Sequence, residues 1–114
     1  MKKITMLTLL FSLVAVSTVC AHPPSDIQIT FDPETKILQA VLTHDVNDAA
    51  GHFIEKIDVG LNGTEIISHK ISRQDNNQTQ RISYLIPDAT AGDILSVEGY
   101  CNLSGKLEKE LQLP

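Results

Sequence analysis

Asn62-Gly63 stands between two runs of β-forming residues, Phe53–Leu61 and Glu65–Ile71. Both residues accept the positive φ of a two-residue hairpin turn, so the pair predicts two adjacent antiparallel strands. The pattern recurs along the chain. Further β-type runs at Ile27–Phe31, Ile37–Thr43, Gln80–Ile86, Ile94–Cys101 and Leu107–Leu113 are separated by Asp32-Pro33, Pro87-Asp88, Gly92-Asp93 and Gly105. These residues preset or permit turn dihedrals. Seven short strands punctuated in this way predict an all-β fold, an immunoglobulin-like β-sandwich. Alternation assigns the inward faces: Ile27, Ile29 and Phe31; Phe53, Ile57, Val59 and Leu61; Ile82, Tyr84 and Ile86; Leu95, Val97 and Cys101. Cys101 therefore points inward where its strand runs into a loop.

Met1–Ala21 has a different character. Lys2 and Lys3 precede an apolar run from Ile4 to Val16, and Val19-Cys20-Ala21 follows. That order predicts a secretory signal peptide over residues 1–21, cleaved after Ala21. The run falls short of the roughly 20 apolar residues of a spanning helix, so no membrane anchor is expected. Residues 22–114 would then form one exported domain, periplasmic or secreted, large enough for a single core.

The chain carries 9 Lys and Arg against 14 Asp and Glu. The leader would take Lys2 and Lys3 with it and leave the domain more acidic still, which excludes nucleic acid and anionic membrane as expected partners. Cys20 would also leave, and Cys101 would be the sole thiol of an exported protein. No intrachain disulfide is then open to it. Pairing with another chain, a reactive site, a metal ligand, or an inert buried thiol packing as a small hydrophobe are the alternatives.

Four histidines accompany that thiol: His22, His44, His52 and His69. His44 and His52 bracket the longest stretch without strand character, a polar loop of the kind that carries function on a rigid scaffold. Imidazole with thiolate suits iron, zinc or copper, and the domain has no methionine for the axial ligand usual in blue-copper sites. Histidines that merely decorate a surface are the other reading. His69 alternates with Ile67 and Ile71 on a hairpin strand and reads as a half-buried structural residue or a solvent-facing edge residue, not a ligand. Cleavage after Ala21 would make His22 the first residue, so that its α-amine and ring nitrogen could chelate copper(II) together, stiffened by Pro23-Pro24; the alternative is a frayed terminus. No serine lies in a nucleophile-elbow context, and no glycine-rich phosphate loop is present.

The segment His52-Phe-Ile-Glu-Lys-Ile57 followed by Asn62-Gly63, with Tyr100-Cys-Asn-Leu-Ser-Gly105, resembles the iron-binding domain of the desulfoferrodoxin and superoxide reductase family. That family carries H-P-M-x-x-x-H-Y-I-x-x-I and later a strand ending Y-C-N-x-H-G, and the likeness runs from about His44 to Leu113. The resemblance implies an immunoglobulin-like sandwich holding mononuclear non-haem iron through four imidazoles and an axial thiolate, which reduces superoxide with electrons from a donor. Cys101 corresponds to the axial thiolate, which would be the catalytic ligand, His52 to the second loop histidine, and His44 to the first at a longer spacing. Ser104 stands where the family has its last histidine, and the family's upstream Glu-Lys-His context has no counterpart. Only His22 lies upstream of His44. The resulting expectation is an exported, superoxide-reductase-like metal protein with His44, His52, Cys101 and His22 as ligands and iron as cofactor, acting on a small inorganic substrate if it is an enzyme. The alternatives are copper held through His22 and a non-catalytic interaction module with a degenerate site.

Overall fold

The computed structural model describes residues 21–114, so the expected leader lies, apart from Ala21, outside the described residues. Seven strands follow in chain order: β1 Asp26–Asp32, β2 Ile37–Thr43, β3 Ile54–Leu61, β4 Thr64–Lys70, β5 Thr79–Leu85, β6 Ile94–Cys101 and β7 Lys106–Gln112. They form two antiparallel sheets, a three-stranded one in the order β1-β2-β5 and a four-stranded one in the order β4-β3-β6-β7. Among the described residues there is no helix. The chain is thus an all-β sandwich, as the strand pattern predicts.

The hairpin turn between β3 and β4 has φ of 50° at Asn62 and 84° at Gly63, with Leu61 opposite Thr64. Positive φ at both positions is the geometry whose twist matches the flanking strands. Between β1 and β2 the left-handed residue is Lys36, with φ of 61°, and its N–H closes the turn on the Asp32 carbonyl at 2.8 Å.

Alternating residues from both sheets fill the interior, with Leu38, Leu42, Ile54, Ile57, Val59, Leu95 and Val97 fully buried. Each such aliphatic side chain contributes about 1.5–3 kcal/mol on leaving water. Parity holds in β1, β5 and β6, β2 alternates likewise with Leu38, Ala40 and Leu42 inward, and Cys101 is buried at 6% exposure, on the inward face. It fails at the start of β3. There the register with β6 shifts between Ile54 and Lys56, and Ile54, rather than Phe53, is the buried residue. An extra residue in one strand reverses the side-chain alternation beyond it, which strict period-2 reading of Phe53 with Ile57 could not anticipate.

Antiparallel pairing gathers one set of chain segments at one rim. Asp26 at the start of β1 lies opposite Thr43 at the end of β2, Thr43 opposite Thr79 at the start of β5, and Ile54 at the start of β3 opposite Cys101 at the end of β6. Beneath that rim Gly99 lets the sheets approach closely. A Cβ there would overlap Leu42 Cδ2 and lie 3.4 Å from Pro24 Cγ and 3.8 Å from Ile54 Cγ2. Leu42, Pro24 and Ile54 each lie two residues from a histidine.

Candidate metal centre

His44 directly follows β2, and the loop it opens is stitched to the β4–β5 connection. The His44 N–H donates to the Gln78 carbonyl at 2.8 Å, Val46 N–H to Asn77 at 2.8 Å, and Gln74 N–H to Ala49 at 3.0 Å. His52 ends the same loop. Its N–H donates to the Asp48 carbonyl at 2.8 Å, while the Asp48 side chain accepts from Ala50 N–H at 3.0 Å, a local turn of the kind aspartate favours. Asn102 then fastens this turn to the end of β6: its Oδ1 accepts from Phe53 N–H at 2.9 Å and its Nδ2 donates to the Gly51 carbonyl at 3.1 Å. The N-terminal segment is held by Ser25 N–H on the Thr43 carbonyl at 2.8 Å, with Pro24 buried and Pro23 lying over Gly105.

These restraints bring three imidazoles together. Ring centroids of His22 and His44 are 4.8 Å apart, of His44 and His52 4.8 Å, and of His22 and His52 5.2 Å, all edge-on. One ligand atom from each falls within 4.8 Å of the others, and His44 is fully buried between its half-buried neighbours. Metal–nitrogen bonds of ~2.0–2.1 Å set tetrahedral donors about 3.3 Å apart, so ring rotations that close ~1.5 Å would complete a site.

The hydrogen bonds differ from ring to ring. His44 Nδ1 lies 2.8 Å from Gln74 Oε1 and Nε2 2.9 Å from the His22 carbonyl. His22 Nε2 lies 2.8 Å from the Asp45 carbonyl and Nδ1 2.9 Å from the Pro23 carbonyl. Among the described residues His52 Nε2 is buried and has no partner. Burial holds the His52 ring below the usual histidine range, and a charge on the adjacent His44 or His22 ring would oppose its protonation further. A neutral ring with a buried, unshared nitrogen is costly unless a cation or donor meets it.

Beside the rings opens a cleft of about 690 Å³, lined by His22, Asp45, Asn47, Asp48, His52, Asn77 and Leu103 among others. The carboxylates of Asp45 and Asp48 stand on it, which favours cations over anions.

Of the four ligands expected from the sequence, the structure groups His22, His44 and His52; Cys101 is not a member of that group. Its thiol is buried, lies opposite Ile54, and accepts from Leu103 N–H at 3.4 Å, while its own N–H donates to the Gly105 carbonyl at 2.9 Å. Ser104 is exposed in the turn that follows. His69 is exposed on β4, with Nδ1 2.5 Å from the Tyr84 hydroxyl, far from any ligand role; burial pushes Tyr84 up to about 12. Gln74, fully buried against His44, escapes sequence reading because it sits in a polar run, Ser72–Gln78, whose members look alike. No known protein family, curated protein or solved structure matches the chain.

Proposed function

We propose that this protein binds and holds a single transition-metal ion through His22, His44 and His52, as an exported metal-handling protein. The observation that carries this reading is His52 Nε2, a buried nitrogen without a partner, set against two further imidazoles. Three neutral imidazoles suit copper, zinc and nickel, and at equal geometry copper(II) binds ahead of the other divalent ions. Cleavage after Ala21 would add the His22 α-amine as a fourth nitrogen and strengthen that preference. The aspartates on the cleft draw a cation and repel an anion such as superoxide, so metal custody suits the cleft better than superoxide reduction.

Equilibrium dialysis of the purified protein against copper(II), zinc(II) and iron(II) tests the reading. The expected result is one equivalent bound and at least a tenfold weaker affinity in His44→Ala and His52→Ala. Equal metal content in the wild type and both variants would overturn it.

A second reading keeps iron and superoxide reduction, with Cys101 as thiolate ligand. Leu103 favours it, because the residue that donates its N–H to the Cys101 sulfur also lines the cleft shared by His22 and His52. Iron-loaded protein would then show a thiolate-to-iron absorption band that Cys101→Ser abolishes. A spectrum unchanged by that substitution would end it.

A further inference from the structure

Gln74 is fully buried, lies outside the three-histidine group, and spends every polar atom of its side chain on the region around His44. Its Nε2 donates to the His44 carbonyl at 2.8 Å and to the Asn76 carbonyl at 2.9 Å. An amide nitrogen has two hydrogens to give, and both are used. The amide cannot be turned over, since its oxygen would then face two carbonyl oxygens. Oε1 is therefore the atom that meets His44 Nδ1 at 2.8 Å, and Oε1 only accepts.

A neutral imidazole has one N–H, and two oxygens compete for it at His44: Gln74 Oε1 at Nδ1 and the His22 carbonyl at Nε2. The competition is unequal. Gln74 is sealed in the protein, and its oxygen, left without a donor, would carry the full desolvation penalty. The His22 carbonyl belongs to a half-buried residue flanked by exposed Ala21 and Pro23, and it can turn to water. The hydrogen stays on Nδ1 and the lone pair on Nε2.

We infer that Gln74 is a positioning residue of the metal centre, which fixes His44 in its Nδ1–H form and so assigns Nε2 as the atom it offers to the ion. The inference rests on the proposed metal reading. It gives Gln74 the part that an outer carbonyl or carboxylate plays behind a ligating histidine, holding the ring's orientation and tautomer. It also requires the His22 carbonyl to leave Nε2 when an ion enters, so that carbonyl and the ion exclude each other there while the His22 ring remains a ligand.

The test is a long-range proton–nitrogen correlation spectrum of the metal-free, ¹⁵N-labelled full chain, which distinguishes the two tautomers, joined to cobalt(II) titrations. Wild type, Gln74→Met and Gln74→Glu are compared. The Met variant keeps the length of the side chain and removes the acceptor; the Glu variant, held protonated by the His44 and Asn76 carbonyls that Nε2 meets in wild type, keeps an acceptor oxygen toward His44 Nδ1 and one O–H for those carbonyls. The expected result is His44 in the Nδ1–H form in wild type and Gln74→Glu, and a shift to Nε2–H in Gln74→Met with cobalt(II) affinity lower by about 10–100-fold. An Nε2–H form in wild type, or a Met variant unchanged in tautomer and affinity, would overturn the inference. Should Gln74→Met fail to fold, the wild-type tautomer and the Glu variant still decide it. Failure of the wild type to take up copper(II) and zinc(II) as well as cobalt(II) while the Nδ1–H form is present would refute the metal reading alone and leave Gln74 as the residue that sets the tautomer.

Discussion

Replacing His52 with leucine should move stability in opposite directions with and without metal. In the metal-free protein His52 Nε2 is buried without a hydrogen-bond partner. A polar atom left in that condition costs about 1–3 kcal/mol, and removing it in favour of an apolar group of similar size relieves the cost. The ring is only half-buried, so the lower end, about 1 kcal/mol, is the appropriate gain. For a domain of this size that corresponds to a rise in Tm of roughly 4–8 °C. Metal reverses the order. With free ion at about 100 times Kd the wild type gains ~2.7 kcal/mol and a variant that does not bind gains nothing, leaving the variant less stable by about 1.7 kcal/mol. Urea melts of chelator-treated and metal-loaded samples measure both quantities. A His52→Leu protein that is less stable than wild type after chelation would refute the reasoning, because the unpaired nitrogen would then not be a cost that metal relieves.

Four other outcomes are expected. As pH falls below about 6.5 the metal-free protein should lose stability, since the unfolded chain protonates His52 before the folded one does. Stability is fully present above that pH and declines until the lower folded value is passed; melts against pH in wild type and His52→Leu should show a shallower decline in the variant. Gly99→Ala should cost about 1–3 kcal/mol in denaturant melts, because the added methyl overlaps Leu42 in the fully buried core. Asn102→Ala removes the side-chain bonds to Phe53 N–H and the Gly51 carbonyl. It should destabilise by about 1–2 kcal/mol and weaken metal affinity severalfold, measured by melts and titration together. Under the three-histidine reading, Cys101→Ser should leave zinc affinity within about threefold of wild type by competition with a chromophoric chelator, whereas a thiolate ligand would make the loss far larger.

The sandwich was legible because its strands carry their own punctuation. Asn62-Gly63 turns as its residue types require, and the alternating apolar residues of β1, β2, β5 and β6 face the core. Ile54 was not legible, since a bulge reverses parity and leaves no mark in residue type at that point. His44 and His52 announce themselves by bracketing a polar loop. His22 does so less clearly: a histidine before two prolines gives no hint that antiparallel pairing of β1 with the end of β2 returns it to the same rim. Gln74 is the opposite case, one amide in a run of polar residues. Only the approach of the β4–β5 connection to the loop after β2 shows which of them is buried. Local pattern specifies strands and turns; which loops meet across the two sheets depends on pairing between distant residues.

The shared floor at Gly99 separates ring spacing from loop length. Pro24, Leu42 and Ile54 converge there, each two residues from His22, His44 or His52, so the distances among the imidazoles are inherited from how closely the two sheets pack. The number of residues between His44 and His52 then measures how far the loop bulges outward over the rim. It says little about how far apart the rings stand. A loop that lengthens or shortens at its exposed crest reshapes the entrance while the nitrogens keep their places, whereas a single methyl group in β6, buried beneath the rings, presses on Leu42, two residues from His44.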